Sequence, residues 1–276
     1  MEKLYFGTAG VPISTKEKSS AAGIERIFEL ELGCMELEFV NGVRMSEKTA
    51  QVVAAKARER EVLLSVHGPY WINLNSKEPE KIIASRQRIV HASRIGEICG
   101  ARSMIFHPAF NHDDSPEVVL GRVVEGLSLV REELNQTGIT MTLRPETTGK
   151  GSQFGSLEEI IAVSQQVEGV LPCIDFGHLH ARSNGAYNTY EEFCGILESM
   201  EQGLGREALD NVHFHVSGIA YSAKGERNHL VLEESDFNYK DLLKAFKAFE
   251  VKGLVICESP SIEEDAMRLR DFYNTL

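Results

Sequence analysis

Several features are absent from this sequence, and each absence excludes a class of protein. No apolar run among the 276 residues approaches the about 18 residues that a membrane-spanning helix needs. The first segment, MEKLYFGTAGVP, lacks the apolar centre of a signal peptide. The five cysteines are widely spaced and include no CxxC pair, so neither a disulfide framework nor a thiolate zinc site is predicted. We therefore expect a cytoplasmic protein with no membrane partner.

Positive charge is also scarce. Lys and Arg total 29 against 41 Asp and Glu, which gives a formal net charge of −12. Nucleic acids and anionic membranes are held by many contacts from Lys and Arg to phosphate, so bulk charge argues against such a partner. A phosphate-containing ligand would need a local source of positive charge. With 42% hydrophobic and 25% charged residues, the chain otherwise has the composition of an ordinary globular protein.

Short apolar runs recur along the whole chain, and each is followed by a segment with helical periodicity. The eight runs are LYFG (4–7), CMELEF (34–39), LLSVH (63–67), SMIFH (103–107), TMTLRPE (140–146), LPCIDF (171–176), VHFHVS (212–217) and LVICES (254–259). The helical segments are 20–30, 47–60, 80–100, 116–134, 156–167, 190–200, 239–249 and 263–273. Eight strand and helix units predict an α/β fold.

Eight such units fit a (β/α)₈ TIM barrel, which has about 250 residues. The alternative is a doubly wound open sheet, but no GxGxxG turn follows the first strand, so its dinucleotide-binding form has little support. No linker rich in Pro or Ser interrupts the units. We therefore expect one barrel domain over residues 1–276.

The strand ends carry an unusual set of side chains. In a TIM barrel these ends converge on the active-site face. A single His or carboxylate there is commonly a hydrogen-bonded structural residue, but here six consecutive strands each end in a histidine or a carboxylate. So many hydrogen-bond acceptors in one place are hard to satisfy without cations. The residues are His67, His107, Glu146, Asp175 with His178 just beyond it, His213 and His215, and Glu258.

These side chains predict a metal centre. Imidazole and carboxylate ligands suit Zn²⁺, Mn²⁺ or Fe²⁺, and no thiolate is expected because Cys173 and Cys257 precede their strand ends. A single catalytic zinc uses about three protein ligands, whereas at least seven are available. We therefore predict two or three ions, with Glu146 bridging two of them. Glu226 and His229, in a Gly-flanked loop, can complete a further site with His178.

The same residues resemble those of the endonuclease IV family of apurinic/apyrimidinic (AP) endonucleases, within the xylose isomerase-like barrel group. The resemblance extends from about residue 4 to residue 260. The segments that carry it are HGPYWINL (67–74), FHPAF (106–110), RPETTGKGSQFG (144–155), DFGHLHA (175–181) and ESP (258–260).

The resemblance implies three zinc ions with particular ligands. The first set is His67, His107 and Glu146; the second is Glu146, Asp175, His215 and Glu258; the third is His178, Glu226 and His229. His215 is chosen over His213 because HVSG is similar to the family's His-x-Asn/Ser pattern. One departure concerns the third set, where the family has Asp-Arg-His and this chain has Glu-Arg-Asn-His, with one extra residue.

The resemblance also implies a reaction and a partner. The family hydrolyses the phosphodiester on the 5′ side of an abasic site in double-stranded DNA, and Glu146 would position the attacking water. Tyr70 and Trp71 are candidates to wedge into the duplex, with Asn41 and Arg44 near its phosphates. Lys150, Arg182 and Lys224 are further phosphate-binding candidates. A monomer is the default expectation.

Two other functions remain open at this point. Sugar isomerases and epimerases of the same barrel group also place Glu, Asp, His and Glu at successive strand ends, around one Mn²⁺ or Mg²⁺, but they do not require the additional histidines as ligands. A repair-complex subunit that keeps zinc only for structure is the second alternative, because of the altered Glu-Arg-Asn-His segment.

Overall fold

The computed structural model describes residues 1–276, and eight parallel strands form its centre. Each predicted apolar run overlaps one of them. In chain order they are β1 (Leu4–Ala9), β2 (Cys34–Glu38), β3 (Leu63–His67), β4 (Ser103–Phe106), β5 (Thr142–Pro145), β6 (Ile174–Asp175), β7 (Val212–Val216) and β8 (Gly253–Cys257).

The strands close into a barrel. The hydrogen-bonded order is β5-β4-β3-β2-β1-β8-β7-β6, and every pair is parallel. The remaining gap, between β5 and β6, is bridged by parallel pairing of Leu143 with Val170 and of Glu146 with Cys173. The predicted TIM barrel is confirmed, and all strand ends that carry candidate ligands lie at one mouth.

Eight helices cover the outside of the barrel, as predicted. They are α1 (Ser20–Glu29), α2 (Glu47–Arg60), α3 (Pro79–Cys99), α4 (Pro116–Gln136), α5 (Leu157–Gln166), α6 (Tyr190–Leu204), α7 (Tyr239–Ala248) and α8 (Glu263–Thr275). Their starts follow local chemistry: Ser156 and Thr189 form capping boxes with the Glu three residues later, which satisfies backbone N–H groups that a helix leaves free. None of the helices combines the length and apolarity needed to cross a bilayer.

The apolar core lies mainly between the strands and the helices. A single cluster of 60 buried residues joins elements from β1 to α8. A second, smaller apolar cluster consists of Cys34 on β2 with Leu254 and Ile256 on β8. Side chains alternate between the two faces of a strand, so residues two apart, such as His213 and His215, point to the same side. The barrel interior therefore becomes polar toward the mouth.

Seven short elements were not predicted, and several of them border the mouth. A seven-residue helix, Phe176–Arg182, follows β6 directly. An antiparallel hairpin, Gly218–Ser222 with Gly225–Leu230, follows β7. The others are the strand pair Ala109–Phe110 with Gln153–Phe154, the helix Arg206–Leu209 and the 3₁₀ turn Leu232–Glu234. The polar, Gly-rich sequence of the hairpin gives no apolar periodicity that would have revealed it.

Candidate metal centre

Glu146 lies at the centre of the barrel mouth, directly after β5, and its carboxylate is buried among four imidazoles. Its Oε2 is 3.2 Å from His67 Nε2 and 3.1 Å from His107 Nε2. Its Oε1 is 3.1 Å from His215 Nδ1 and 3.4 Å from His178 Nδ1. Four separate segments of the chain therefore direct ring nitrogens at one carboxylate.

The electrostatics match this geometry. Burial alone would raise the pKa of Glu146, but the charges of His107 and His215 hold that pKa well below its usual range. Burial likewise opposes protonation of His67, yet the hydrogen bond and charge of Glu146 raise the pKa of its imidazole to about 10. The pKa values of His178 and His215 are also raised well above the ordinary value, against burial, by neighbouring acidic groups. Without ions, protons on His67, His178 and His215 therefore offset the negative charge of the carboxylates.

Three overlapping groups of side chains can each hold an ion, because the ligand atoms within each group lie within 4.8 Å of one another. Two of them coincide with the first and second predicted ligand sets. The third combines His178 and His229 with Asp175 in place of Glu226. The groups are His67, His107 and Glu146; Glu146, Asp175, His215 and Glu258; and Asp175, His178 and His229.

One atom of this centre tests whether a cation fits. Asp175 Oδ1 accepts a hydrogen bond from the His178 backbone N–H at 2.6 Å, whereas Oδ2 is buried, accepts no hydrogen bond and has His178 Nδ1 3.4 Å away. A buried carboxylate oxygen that accepts no hydrogen bond is unfavourable in a protein interior, and a divalent cation removes that penalty. Glu258 also lies at the mouth, with its Oε1 3.3 Å from His215 Nδ1. Burial raises the pKa of the Glu258 carboxyl group to about 7. The donor set therefore fits divalent ions.

The hairpin brings Glu226 and His229 to His178 through a β-bulge. Glu226 pairs with Tyr221 and His229 with Ile219, while Arg227 has no partner in the register. Residues three apart in a regular strand face opposite sides, so the extra residue turns both side chains to the same face. Glu226 Oε2 consequently lies 3.6 Å from His178 Nε2. The bulge absorbs the additional residue of Glu-Arg-Asn-His, and Glu226 remains beside His178.

Comparisons with known proteins agree with this architecture. A family model described as a xylose isomerase-like TIM barrel matches residues 24–276. The chain belongs to the xylose isomerase-like TIM barrel family. Among its relatives, an uncharacterized protein of Methanocaldococcus jannaschii is 44% identical over 273 residues, 99% of this chain and 98% of that protein. A probable endonuclease 4 of a Geobacillus species is 29% identical over 171 residues, 59% of this chain and 54% of that protein.

Two solved structures share the fold at low sequence identity. Endonuclease IV from Thermus thermophilus superposes with a TM-score of 0.76 at 18% identity, covering 98% of this chain and 100% of that chain. A D-tagatose 3-epimerase-like protein gives a TM-score of 0.72 at 19% identity, covering 97% and 96%. The resemblance to endonuclease IV is confirmed in relatives and fold, while an epimerase has nearly the same architecture.

The predicted DNA-binding residues of this xylose isomerase-like barrel lie at the mouth and are accessible. Tyr70 and Trp71 are 59% and 49% exposed, and the Tyr70 ring centroid is 6.1 Å from that of His67. Asn41 and Arg44, in the loop after β2, are also accessible, and a Cβ at Gly42 would lie 3.7 Å from the Trp71 ring. The aromatic pair and the β2 loop thus form one surface beside the metal centre.

Arg182 differs from the expectation that it binds a phosphate. Its Nη1 donates to the carbonyl oxygens of Lys150 at 2.6 Å and Gln153 at 3.0 Å. The guanidinium therefore braces the loop after β5. Lys150 and Lys224, in contrast, are exposed.

Glu36 and the environment of His213 were missed by reasoning from strand ends alone. Glu36 is buried inside β2, where its Oε2 accepts hydrogen bonds from Ser65 Oγ at 2.6 Å and His213 Nε2 at 3.0 Å. Burial lowers the pKa of His213 to about 4, which leaves its ring neutral. The signal was present, since CMELEF places acids at 36 and 38, two apart within an apolar strand.

A thiol also lies closer to this centre than expected. Cys173 forms a group with His213 and His215 whose candidate ligand atoms are all within 4.8 Å of one another. Burial raises the pKa of its thiol, so the neutral form is favoured over the thiolate that binds metal.

Metal binding is expected to release protons at pH 7. The pKa of metal-free His67 is about 10, so this ring holds a proton that an ion must displace. Because the pKa is raised, apparent metal affinity should increase as pH rises from 7 towards 10. Calorimetric titration with Zn²⁺ in buffers of different ionisation enthalpy measures the number of protons released; a value of zero would contradict protonated imidazoles.

Proposed function

We propose that this protein is a metal-dependent AP endonuclease that hydrolyses the phosphodiester on the 5′ side of abasic sites in double-stranded DNA, as in base excision repair. The observation that carries the proposal is the convergence of four imidazoles on Glu146, beside the exposed aromatic pair Tyr70 and Trp71. The relatives named probable endonuclease 4 and the fold of endonuclease IV support it.

We further propose that two or three Zn²⁺ ions occupy this centre, with Mn²⁺ as the alternative ion. His67, His107 and Glu146 would hold one ion, and Glu146, Asp175, His215 and Glu258 a second. His178 and His229 would hold the third, with Glu226 or Asp175 completing its ligands. Divalent ions held in this way lower the pKa of water and neutralise charge on a phosphoryl group.

The chain's own residues would divide the remaining work. The Glu146 carboxylate, a member of both the first and the second ligand set, would orient the attacking water in line with the scissile bond. Tyr70 and Trp71 provide a flat apolar surface that can replace stacking lost at an abasic nucleotide. Asn41 and Arg44 lie in the adjacent loop and are suited to backbone phosphates.

The net charge of −12 is compatible with DNA binding if the charges at the proposed metal centre are considered separately from those on the rest of the surface. Glu146, Asp175, Glu226 and Glu258 lie in the proposed centre, and two or three divalent ions would add about +4 to +6 at this one face. Binding would then be concentrated at the lesion. Monomeric action in the cytoplasm is part of the same proposal.

A sugar epimerase is the second candidate. The group Glu146, Asp175, His215 and Glu258 is by itself sufficient for one ion, and an epimerase-like protein shares the fold. The neighbouring group of His67 and His107 with Glu146 favours the nuclease, because a one-ion centre does not require these two histidines as ligands.

Two measurements separate the candidates. Metal analysis of the purified protein should give two to three zinc-like ions per chain, whereas a single Mn²⁺ or Mg²⁺ would favour the epimerase. A duplex with one abasic site should be nicked on its 5′ side, leaving a 3′ hydroxyl, while an undamaged duplex of the same sequence stays intact. An abasic duplex that remains uncut after metal reconstitution would exclude the nuclease.

A further inference from the structure

The two ring nitrogens of His215 face different carboxylates. Nδ1 points to the mouth, where Glu146 Oε1 is 3.1 Å away and Glu258 Oε1 3.3 Å away. Nε2 points down the barrel axis, where Glu36 Oε1 is 3.1 Å away. Both atoms are fully buried, and neither has an assigned hydrogen-bond partner elsewhere in the structure. Each atom nevertheless lies within hydrogen-bond distance of the other.

The other carboxylate oxygen of Glu36 is fixed by two hydrogen bonds. Its Oε2 accepts from Ser65 Oγ at 2.6 Å, on β3, and from His213 Nε2 at 3.0 Å, on β7. The Ser103 hydroxyl, on β4, in turn lies 3.4 Å from His213 Nδ1. Four strands thus contribute to fixing one carboxylate beneath the mouth, and its Oε1 lies beside His215 Nε2.

Burying a carboxylate in this position costs free energy unless a hydrogen-bond donor or a positive charge is paired with it. Histidines that bind metal through one nitrogen commonly donate the other N–H to a carboxylate, which fixes the tautomer and the ring orientation. The mouth side of His215 offers Nδ1 to the second ligand group, so Nε2 is left as the N–H donor. Glu36 lies where such a partner is needed.

We infer that Glu36 is a positioning residue for the second ion: it orients His215 from inside the barrel so that Nδ1 faces Glu146 and Glu258. The inference rests on the proposed metal centre but not on the identity of the substrate. It also assigns His213 a role as a support for Glu36, separate from ion binding.

The test compares Glu36→Gln with the wild type in zinc competition against a chromophoric chelator. The substitution preserves side-chain size and removes the charge, so the affinity for one ion should fall about 10- to 100-fold while the others remain. Glu263→Gln is the matched control: Glu263 is also buried, but its carboxylate accepts from the backbone N–H groups of Ile13 and Ser14. This control should bind all ions like the wild type.

A spectroscopic measurement separates positioning from a merely structural role. In the metal-loaded wild type, the His215 Nε2–H proton should give a downfield NMR signal protected from exchange, and Glu36→Gln should move that signal upfield. Ser65→Ala, which keeps the charge but removes one support of Glu36, should give a smaller loss of affinity and provides the test if Glu36→Gln fails to fold.

Two outcomes overturn the inference. A positioning role is excluded if a folded Glu36→Gln or Ser65→Ala variant binds every ion with unchanged affinity. It is also excluded if the affinity for all ions falls equally. Failure of the wild type to bind a second ion would instead contradict the proposed metal centre, so the two failures are distinguishable.

Discussion

Replacing Glu146 with glutamine is expected to lower incision of an abasic duplex at least about 10³-fold, the order of loss when one member of a catalytic unit is removed. Glu146 is shared by two ligand groups and by four imidazoles, so a neutral amide weakens two ion sites at once. Its side-chain size is unchanged. The loss should therefore come from charge and coordination.

The measurement is single-turnover cleavage of a labelled duplex by metal-reconstituted protein, together with metal content. Glu263→Gln controls for changing a buried glutamate to its amide elsewhere in the chain and should cut at the wild-type rate. Activity of Glu146→Gln within about tenfold of the wild type would show that this carboxylate is not central to the reaction.

The fold could be predicted because two periodicities are strong in this sequence. Strand runs such as LLSVH (63–67) and SMIFH (103–107) are almost continuously apolar up to the His, as expected for strands buried on both faces. In a barrel, the ends of such strands must meet, so a metal centre of His and carboxylate side chains could be predicted before any distance was known. The division into ligand sets came from the resemblance to the endonuclease IV family.

Other parts of the site depend on geometry that strand ends do not encode. Glu36 lies two residues before the end of β2, and its importance arises from contacts with β3 and β7. The approach of Glu226 and His229 to His178 needs a bulge at Arg227, and the spacing along the chain gives no indication of it. Asp175 joins the third group because the helix Phe176–Arg182 starts immediately after it and carries His178.

Removing the metal is expected to destabilise the protein strongly. An ion present at about a thousandfold excess over its Kd stabilises the folded state by about 4 kcal/mol. In a chain of this size each kcal/mol corresponds to about 2–4 °C, so chelation of one ion should lower the unfolding midpoint by about 10 °C. The loss arises because the ligand atoms of Glu146, Asp175 and Glu258 are brought together only in the folded state, so the binding free energy of the ion contributes to folding.

The metal-free protein should also depend on pH in a particular direction. The pKa of His67 is raised to about 10 from an unfolded value near 6.5, so its protonation stabilises the fold fully below pH 6.5. That stabilisation is lost as pH rises to about 10, because Glu146 then loses a positively charged neighbour. Thermal unfolding at pH 7 and pH 10, with and without chelator, measures this. A midpoint that falls equally in the metal-loaded protein would contradict the account, since bound ions replace the displaced protons.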